Sequence, residues 1–442
     1  MINNFLNFIE NNRLITKGEK VLLAVSGGID SVILAHLFDQ SSIDFGIAHC
    51  NFQLRGEESD GDEAFVKSLA KRIKKPFYCK HFDTKTYANN NGISTQMAAR
   101  DLRYSWFSEL QKEEGYAKIT TAHHLNDAIE TTLFNFSKGT GISGIRGLKP
   151  INEVLIRPLL FASRLEIETY AKAQGIKWRE DSSNKEDTYA RNHIRLTVIP
   201  ELRKINSSLE STAVSTFERL LDVEKIFKHE VAMFKNTFVK TQHNLTTIIM
   251  SEASGIIGFP TILHDVLKAF GFNFSQTKEI IKRKNESGKL FLSTNFQLNI
   301  DRDTIFITSR NKEEETKEYK IQQGDTSIAL PHGRLTLDWD AKRPSSFSRN
   351  DKVTFVDIAK LRFPLIVRKW KEGDSFEPLG MKNKKKMSDF LIDRKIPLHI
   401  KEQIYVLESE NKIVWVVGHQ LDERFKLSNN TSGICYLEFT PL

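Results

Sequence analysis

The sequence predicts an α/β fold that begins with a doubly wound parallel sheet and continues with a mainly helical domain and a small α+β C-terminal domain. Two observations predict the sheet: apolar runs of strand length recur through the first 200 residues, and segments of helical length separate them. The runs expected to be buried strands are residues 21–25, 45–50, 77–82 and 118–122. This alternation is typical of parallel sheets, because parallel strands need crossover helices between them.

The segments between the apolar runs have the periodicity of amphipathic helices. In each segment, one apolar face repeats every three or four residues. The face consists of Phe65, Leu69 and Ile73 in residues 62–74, and of Leu102, Trp106 and Leu110 in residues 95–113. We therefore expect helices at both places.

The pattern changes after residue 200 and predicts two further domains. Residues 209–284 have a mainly helical pattern, and strand-like runs follow at 290–300 and 304–308. The charged segment 311–320 is expected to be a solvated linker. Further short strand-like runs lie at residues 336–339, 365–367 and 412–417. These changes predict three domains, at residues 1–200, 201–312 and 319–442.

The composition of the 442-residue chain favours a polyanionic partner, since the formal net charge is +8 and the pI is about 9.1. Its three cysteines, Cys50, Cys79 and Cys435, form no CxxC pair, which predicts a reducing cytoplasmic compartment and neither a zinc knuckle nor a disulfide framework. No apolar run reaches the length of a spanning helix, and residues 1–12 have no basic n-region. We therefore expect no membrane association.

The most specific signal follows the first predicted strand, where a glycine turn leads into a helix. The turn consists of Ser26, Gly27, Gly28, Ile29, Asp30 and Ser31. Glycines let successive backbone N–H groups approach a phosphate, and the helix N-terminus and the serine hydroxyls add donors. No Walker A pattern is present. On these residues alone, an ordinary capped turn remains the alternative.

This turn resembles the PP-loop signature SGGxDS of the N-type ATP pyrophosphatases. The resemblance implies a Rossmann-like sheet, ATP as a cosubstrate and the release of pyrophosphate. Asp30 would lie beside the phosphates with no lysine in the loop. Because a carboxylate repels phosphates unless a cation bridges them, we expect Asp30 to hold Mg²⁺. A helix-dipole role for Asp30 is the alternative.

Paired acidic residues follow the fourth predicted strand. Asp127 and Glu130 lie three residues apart in a predicted helix, so both carboxylates can face one site at the carboxyl edge of the sheet. Two carboxylates suit an ammonium group, and one of them could act as a base toward it. A capped helix with surface acids is the alternative. In the helix predicted at 95–113, Arg100 and Arg103 share a face and could bind phosphate.

Four stretches resemble the tRNA(Ile)-lysidine synthases, a family within the same superfamily: residues 49–60, 96–104, 121–132 and 178–195. Two positions depart from the family pattern, because Phe52 stands where His is common and Gln96 replaces an acid. The resemblance implies that Arg100 contacts ATP and that the other site residues are His123, Asp127, Glu130 and Arg195. It assigns free L-lysine to the two acids, and phosphate or the lysine carboxylate to Arg195.

A basic stretch near the C-terminus resembles the family's tRNA-binding module, which spans about residues 365–420. Residues 360–401 contain twelve Lys or Arg and five Asp or Glu. The candidate phosphate contacts are Arg368, Lys369, Lys384, Lys385 and Lys386. A solvated basic loop is the alternative for this stretch.

The resemblance implies a reaction on the wobble cytidine of tRNA(Ile) with a CAU anticodon. ATP would adenylylate the oxygen on ring carbon 2, and the ε-amine of lysine would then displace AMP to form lysidine. Two alternatives stay open at this point: another tRNA base-modifying enzyme such as a thiolase, and an RNA-binding protein that binds nucleotide without catalysis. The oligomeric state also stays open, with a homodimer among the alternatives.

Overall fold

The computed structural model describes residues 1–180, 190–242, 244–310, 317–346, 350–381, 383–396, 398–401 and 403–441. The chain divides into two compact units, Met1–Ile226 and Phe227–Leu442. Three predicted features fall partly outside the described residues: positions 181–189 of the 178–195 stretch, positions 311–316 of the expected linker, and Lys382 of the basic stretch. Within the described part, no helix has both the length and the apolar character needed to cross a membrane.

The first unit alternates strands and helices, as the sequence predicts. Its strands are β1 (Val21–Ala24), β2 (Phe45–Asn51), β3 (Phe77–His81), β4 (Lys118–Thr120), β5 (Ile151–Asn152) and β6 (Leu155–Ile156). Its helices are α1 (Ile2–Asn11), α2 (Ile29–Asp39), α3 (Glu57–Arg72), α4 (Thr84–Asn91), α5 (Thr95–Glu114), α6 (Leu125–Lys138), α7 (Ile142–Ile145), α8 (Arg164–Ala173), α9 (Ala190–His193) and α10 (Ile199–Ile205). A π-helical segment spans Ile194–Val198, and α11 (Leu209–Phe238) contains the division between the units.

The strands form one six-stranded sheet in the order β3-β2-β1-β4-β6-β5. The pairs from β3 to β6 are parallel, and β5 adds an antiparallel edge. The order reverses beside β1, since β2 lies on one side of it and β4 on the other. Such a switch point is where open α/β sheets bind ligands. The predicted doubly wound sheet is therefore confirmed.

One predicted buried strand differs in the structure. β3 is half-buried along Phe77, Tyr78 and Cys79 and exposed at Lys80 and His81. Its position at the edge of the sheet explains the difference, because an edge strand lacks a neighbour on one side. By contrast, the central strand β1 is buried at Val21, Leu22 and Leu23.

The second unit begins with helices packed with an antiparallel sheet. The elements are β7 (Val239–Gln242), β8 (Leu245–Ile249), α12 (Met250–Ala253), α13 (Phe259–Leu267), α14 (Phe274–Lys282), β9 (Lys289–Leu292), β10 (Phe296–Asp301) and β11 (Thr304–Ser309). The sheet order is β7-β8-β11-β10-β9. The sequence predicted strand-like runs at 290–300 and 304–308; the first is divided into β9 and β10, and the second is β11. By contrast, β7 and β8 lie inside the stretch expected to be helical.

The C-terminal part of this unit contains two antiparallel sheets and short helices. The elements are β12 (Tyr319–Ile321), β13 (Ser327–Leu330), β14 (Gly333–Asp338), β15 (Val353–Asp357), β16 (Leu365–Lys369), β17 (Ser375–Phe376), β18 (Lys385–Lys386), α15 (Met387–Asp393), α16 (Leu398–Lys401), β19 (Tyr405–Ser409), β20 (Lys412–Val416), β21 (Gln420–Leu421) and β22 (Ile434–Pro441). The sheet orders are β12-β16-β19-β20-β21 and β13-β14-β22-β15, and β17 pairs with β18. An α+β C-terminal region is thus observed, as predicted.

Candidate active site

The glycine turn between β1 and α2 is held from inside by a serine. The Oγ of Ser31 accepts hydrogen bonds from the backbone N–H groups of Ser26 and Gly27, each at 3.2 Å, and donates one to the carbonyl of Gly28 at 2.9 Å. Gly27 has a φ of +99°, and a Cβ there would lie 3.6 Å from Val66 of α3. The turn therefore needs glycine for its backbone conformation, and Ser31 fixes its shape. Within the turn, Ser26 is the exposed hydroxyl.

The parallel pairing of β1 with β4 brings the two sequence motifs together. Leu23 lies opposite Thr120 in this pairing, so the turn after β1 and the segment after β4 leave the sheet at the same edge. The two segments line a cavity of about 290 Å³. The lining residues that had been predicted as functional are Ser26, Gly28, Asp30, Ser31, Arg103, His123 and Asp127. Ile29 is buried in the core, so its side chain takes no part in the cavity.

Asp30 lies in the first turn of α2 and contacts an arginine side chain that was not predicted from the sequence. Arg164, at the start of α8, donates from Nη1 to both carboxylate oxygens of Asp30 at 2.9 and 2.7 Å. His124 Nε2 lies 3.8 Å from the same carboxylate. Burial raises the pKa of Asp30, although His124 and Arg164 act in the opposite direction, and the negative charge of Asp127 adds to the rise. The negative charge in this corner is therefore only partly offset.

This corner fits a divalent cation. Asp30 and Asp127 both line the cavity, and each supplies the carboxylate oxygens that Mg²⁺ prefers. The raised pKa of Asp30 also indicates that further positive charge would be favourable there.

His123 projects into the same cavity as a neutral imidazole. Burial lowers its pKa to about 4, and its Nδ1 lies 2.8 Å from the hydroxyl of Thr121. A histidine with such a low pKa carries no charge near neutral pH. His123 can therefore exchange hydrogen bonds with a ligand but does not supply a positive charge.

The predicted acid pair is divided between two environments. Glu130 is 4% exposed and accepts a forked pair of hydrogen bonds from Arg195, at 2.7 Å from Nε and 2.8 Å from Nη2. Asp127 lines the cavity, and its Oδ1 lies 3.7 Å from Arg195 Nη2. The hydrogen bonds that Arg195 donates to Glu130 raise the pKa of Arg195, which therefore stays charged. Arg195 lies in the π-helical segment, a distortion frequent at functional sites.

The arginine predicted to contact ATP is not among the residues that line the cavity. Arg100 is exposed and lies over the ring of Tyr104, with its Cζ 5.0 Å from the ring centroid. Arg103, one helical turn later, does line the cavity, and its Cζ lies 5.2 Å from the ring centroid of Phe52. Phe52 stacks in turn on Phe82. The residue that departs from the family pattern therefore forms part of an apolar wall beneath an arginine.

The basic residues of the C-terminal part differ sharply in their surroundings. Arg368 is 9% exposed and donates to Asp374 at 2.8 and 3.0 Å and to Glu408 at 2.9 Å. Burial alone would lower the pKa of Arg368, but the two carboxylates outweigh this effect and raise the pKa. Its guanidinium is thus occupied inside the protein, which corrects its predicted role as a phosphate contact. Lys369 is half-buried.

The three consecutive lysines of the basic stretch also differ. Lys384 and Lys386 are exposed, whereas Lys385 is half-buried and its ammonium donates to Asp393. Two of the three lysines are therefore exposed to solvent: Lys386 lies in β18, and Lys384 directly precedes this strand.

The fold and the phosphate turn together define the class of the protein. Residues 1–202 match the family model described as a PP-loop domain. The first unit is accordingly a PP-loop ATP-binding domain, as its parallel sheet and its turn at the switch point indicate. Residues 242–311 match the TilS substrate binding domain, and residues 365–438 match the TilS substrate C-terminal domain.

Full-length relatives define the family more narrowly. The chain is 37% identical to the tRNA(Ile)-lysidine synthase of Parabacteroides distasonis, with 99% of this chain and 100% of the relative covered. It is 35% identical to the tRNA(Ile)-lysidine synthase of Bacteroides thetaiotaomicron, with 97% of each chain covered. The chain therefore belongs to the tRNA(Ile)-lysidine synthase family and is an ATP-dependent ligase. The predicted resemblance is confirmed, and these matches favour it over a thiolase.

Proposed function

We propose that the enzyme ligates free L-lysine to carbon 2 of the wobble cytidine in tRNA(Ile) with a CAU anticodon, in the cytoplasm. The observation that carries this proposal is a single cavity that brings together the phosphate turn, the carboxylate of Asp30 and the carboxylate of Asp127. A phosphate-binding turn supports the activation step, and a second carboxylate supports the amine-transfer step. We keep the division into residues 1–200, 201–312 and 319–442 as the proposed domain arrangement.

In the first step, the oxygen on carbon 2 of the cytidine attacks the α-phosphate of ATP, and pyrophosphate leaves. The backbone N–H groups of the turn and the N-terminus of α2 would bind the phosphates. Asp30 would hold Mg²⁺, which offsets the charge that develops on the leaving pyrophosphate. Arg164 donates to both oxygens of Asp30, so a cation held by this carboxylate would compete with the guanidinium. The apolar wall that includes Phe52 and Phe107 suits the adenine ring.

In the second step, the ε-amine of lysine attacks carbon 2, loses a proton, and displaces AMP. An unperturbed lysine amine has a pKa of about 10.4, so it reaches the site as an ammonium that must be deprotonated. Asp127 lines the cavity and is the carboxylate placed to hold the ammonium and accept that proton. Glu130 is engaged by Arg195, so we assign it to positioning this arginine. Arg195 would in turn bind the lysine carboxylate or a phosphate.

The tRNA would contact exposed lysines of the C-terminal part. Lys384 and Lys386 are exposed and are assigned as phosphate contacts, and the half-buried Lys369 is kept as a further candidate contact. Arg368 is assigned a structural role between Asp374 and Glu408.

The two-step mechanism is tested by trapping its intermediate. With ATP labelled at the α-phosphate and no lysine, the label should enter tRNA(Ile), and added lysine should release it as AMP. Asp127→Asn should accumulate labelled tRNA and release AMP slowly, because the amine keeps its proton. Asp39→Asn, an exposed carboxylate at the other end of α2, is the matched control and should behave as the unsubstituted enzyme. Labelled tRNA that never forms, or equal AMP release by Asp127→Asn, would contradict the proposal.

A further inference from the structure

A second group of potential ligand side chains lies at the edge of the parallel sheet, outside the lining of the active-site cavity. It consists of Glu63 on α3 and of Cys79 and His81 on β3, and one ligand atom from each residue lies within 4.8 Å of the others. Cys79 and His81 are two residues apart on a strand, so both side chains point to the same face of the sheet. Glu63 reaches that face from the helix packed against it.

The carboxylate of Glu63 is the centre of this group. His81 Nε2 lies 2.6 Å from Glu63 Oε2, and the amide of Asn51 donates to the same oxygen at 3.0 Å. Burial and the neighbouring carboxylate of Glu63 raise the pKa of the Cys79 thiol. Asn51 pairs with His81 in the β2–β3 register, which fixes its amide beside the group. The carboxylate is therefore oriented by a neighbour that is not itself a candidate ligand, as is usual in metal sites.

We propose that Glu63, Cys79 and His81 form a binding site for a zinc-class transition-metal ion, with a fourth position open to water or to a further ligand. Sulfur, imidazole nitrogen and carboxylate oxygen are the three donor types that Zn²⁺ uses. This chemistry differs from that of the active-site corner, where carboxylate oxygens suit the harder Mg²⁺. The sequence alone hid the site, because Glu63 is separated from the Cys-x-His pair and no CxxC spacing is present.

The geometry needs only small adjustments. Bond lengths of about 2.0–2.3 Å in a tetrahedral site put neighbouring donor atoms about 3.3–3.8 Å apart. The oxygen of Glu63 and the nitrogen of His81 must therefore separate by about 1 Å as the ion inserts between them. The thiol proton of Cys79 leaves to solvent, and the proton between His81 and Glu63 moves to the other ring nitrogen. Burial raises the pKa of Cys79 to about 12, so the ion must displace a proton that is otherwise retained.

A bound ion would join α3 to β3. The same helix carries Val66, which packs behind Gly27 of the phosphate turn. The ion is therefore expected to stabilise the first unit and to take no part in the transfer steps. Its binding should raise the midpoint of thermal unfolding in proportion to the logarithm of free metal concentration above the dissociation constant.

The test is a Co²⁺ titration of the full-length protein after treatment with a chelator. Thiolate ligation should give a near-ultraviolet charge-transfer band that saturates at one equivalent, and added Zn²⁺ should abolish it. Cys79→Ser should lack the band, while Cys50→Ser, on the neighbouring strand, should keep it. His81→Ala removes an exposed side chain, so the fold should persist, and affinity should fall by more than about 100-fold.

Glu63→Gln provides a second check, because it preserves side-chain size and one acceptor oxygen while removing the negative charge. It should also weaken Co²⁺ binding by more than about 100-fold. A protein that gives no charge-transfer band at millimolar Co²⁺ would overturn the proposal and leave the group as a hydrogen-bonded network. A band that survives in Cys79→Ser, or unchanged affinity in both His81→Ala and Glu63→Gln, would overturn it equally.

Discussion

Arg195→Met should destabilise the first unit by about 3–5 kcal/mol, because it leaves a buried carboxylate without its partner. The side chain of Glu130 is 6% exposed, and that of Arg195 is 41% exposed. The converse change, Glu130→Gln, leaves a guanidinium that reaches solvent and still lies near Asp127. Its cost should be smaller, about 1–3 kcal/mol. The difference in burial therefore predicts an asymmetry between two substitutions that break the same ion pair.

The assay is thermal unfolding of the single variants and of the double variant, followed by circular dichroism. At about 2–4 °C per kcal/mol for a unit of this size, Arg195→Met should lower the midpoint by about 6–20 °C. The double variant should be more stable than Arg195→Met alone, since the buried charge is gone. An equal or smaller cost for Arg195→Met than for Glu130→Gln would refute the reasoning.

Three further predictions concern other charged groups. Burial raises the pKa of Asp30, so its ionised form opposes folding at neutral pH. Without ligand, Asp30→Asn should therefore unfold at the same temperature as the unsubstituted protein or at a higher one. The same variant should lose pyrophosphate release. Burial lowers the pKa of His123 to about 4, so this residue is protonated at a higher pH in the unfolded chain than in the folded protein. The free energy of unfolding should therefore decrease as pH drops from about 6.5 to about 4. This part of the decrease should be absent in His123→Gln. Replacing Lys384 and Lys386 together with Ala should reduce the slope of log tRNA affinity against log salt by about 1.4–1.8, whereas Lys385→Ala should leave the slope unchanged.

The sequence predicted the parts of the site that depend on local pattern. The turn at residues 26–31 follows a buried strand and opens a helix, and both features are encoded by neighbouring residues. β1 and β4 end at the same edge of the parallel sheet, so Asp127 lines the same cavity as Asp30. Glu130, three residues later, accepts hydrogen bonds from Arg195. The sequence does not reveal that Asp127 lines the cavity whereas Glu130 binds Arg195. This difference depends on which face of α6 meets the π-helical segment.

Arg164 was missed because its partner lies 134 residues away in the chain. Nothing in the sequence around Arg164 indicates that the start of α8 lies beside the phosphate turn. Arg368 was misassigned for a related reason. A basic run normally indicates a solvated surface. The guanidinium of Arg368, however, donates to Asp374 and Glu408 inside the protein. Tertiary contacts thus overrode the local charge pattern.

The strands β7 and β8 were missed although one signal was present. Residues 245–249 include two threonines and two isoleucines, and β-branched residues favour strands. The long helical pattern on either side outweighed this short run. Similarly, the exposure of β3 could not be predicted, because an apolar run does not reveal whether a strand is central or at the edge.

The most direct test of the account is the transfer of labelled lysine to tRNA. The enzyme is incubated with ATP, Mg²⁺, tRNA(Ile) bearing a CAU anticodon, and each amino acid in labelled form in turn. Label should enter the RNA only with lysine and only when the wobble cytidine is present. One AMP and one pyrophosphate should appear for each lysine incorporated. Incorporation of another amino acid, or ATP cleavage to ADP and phosphate, would contradict the account.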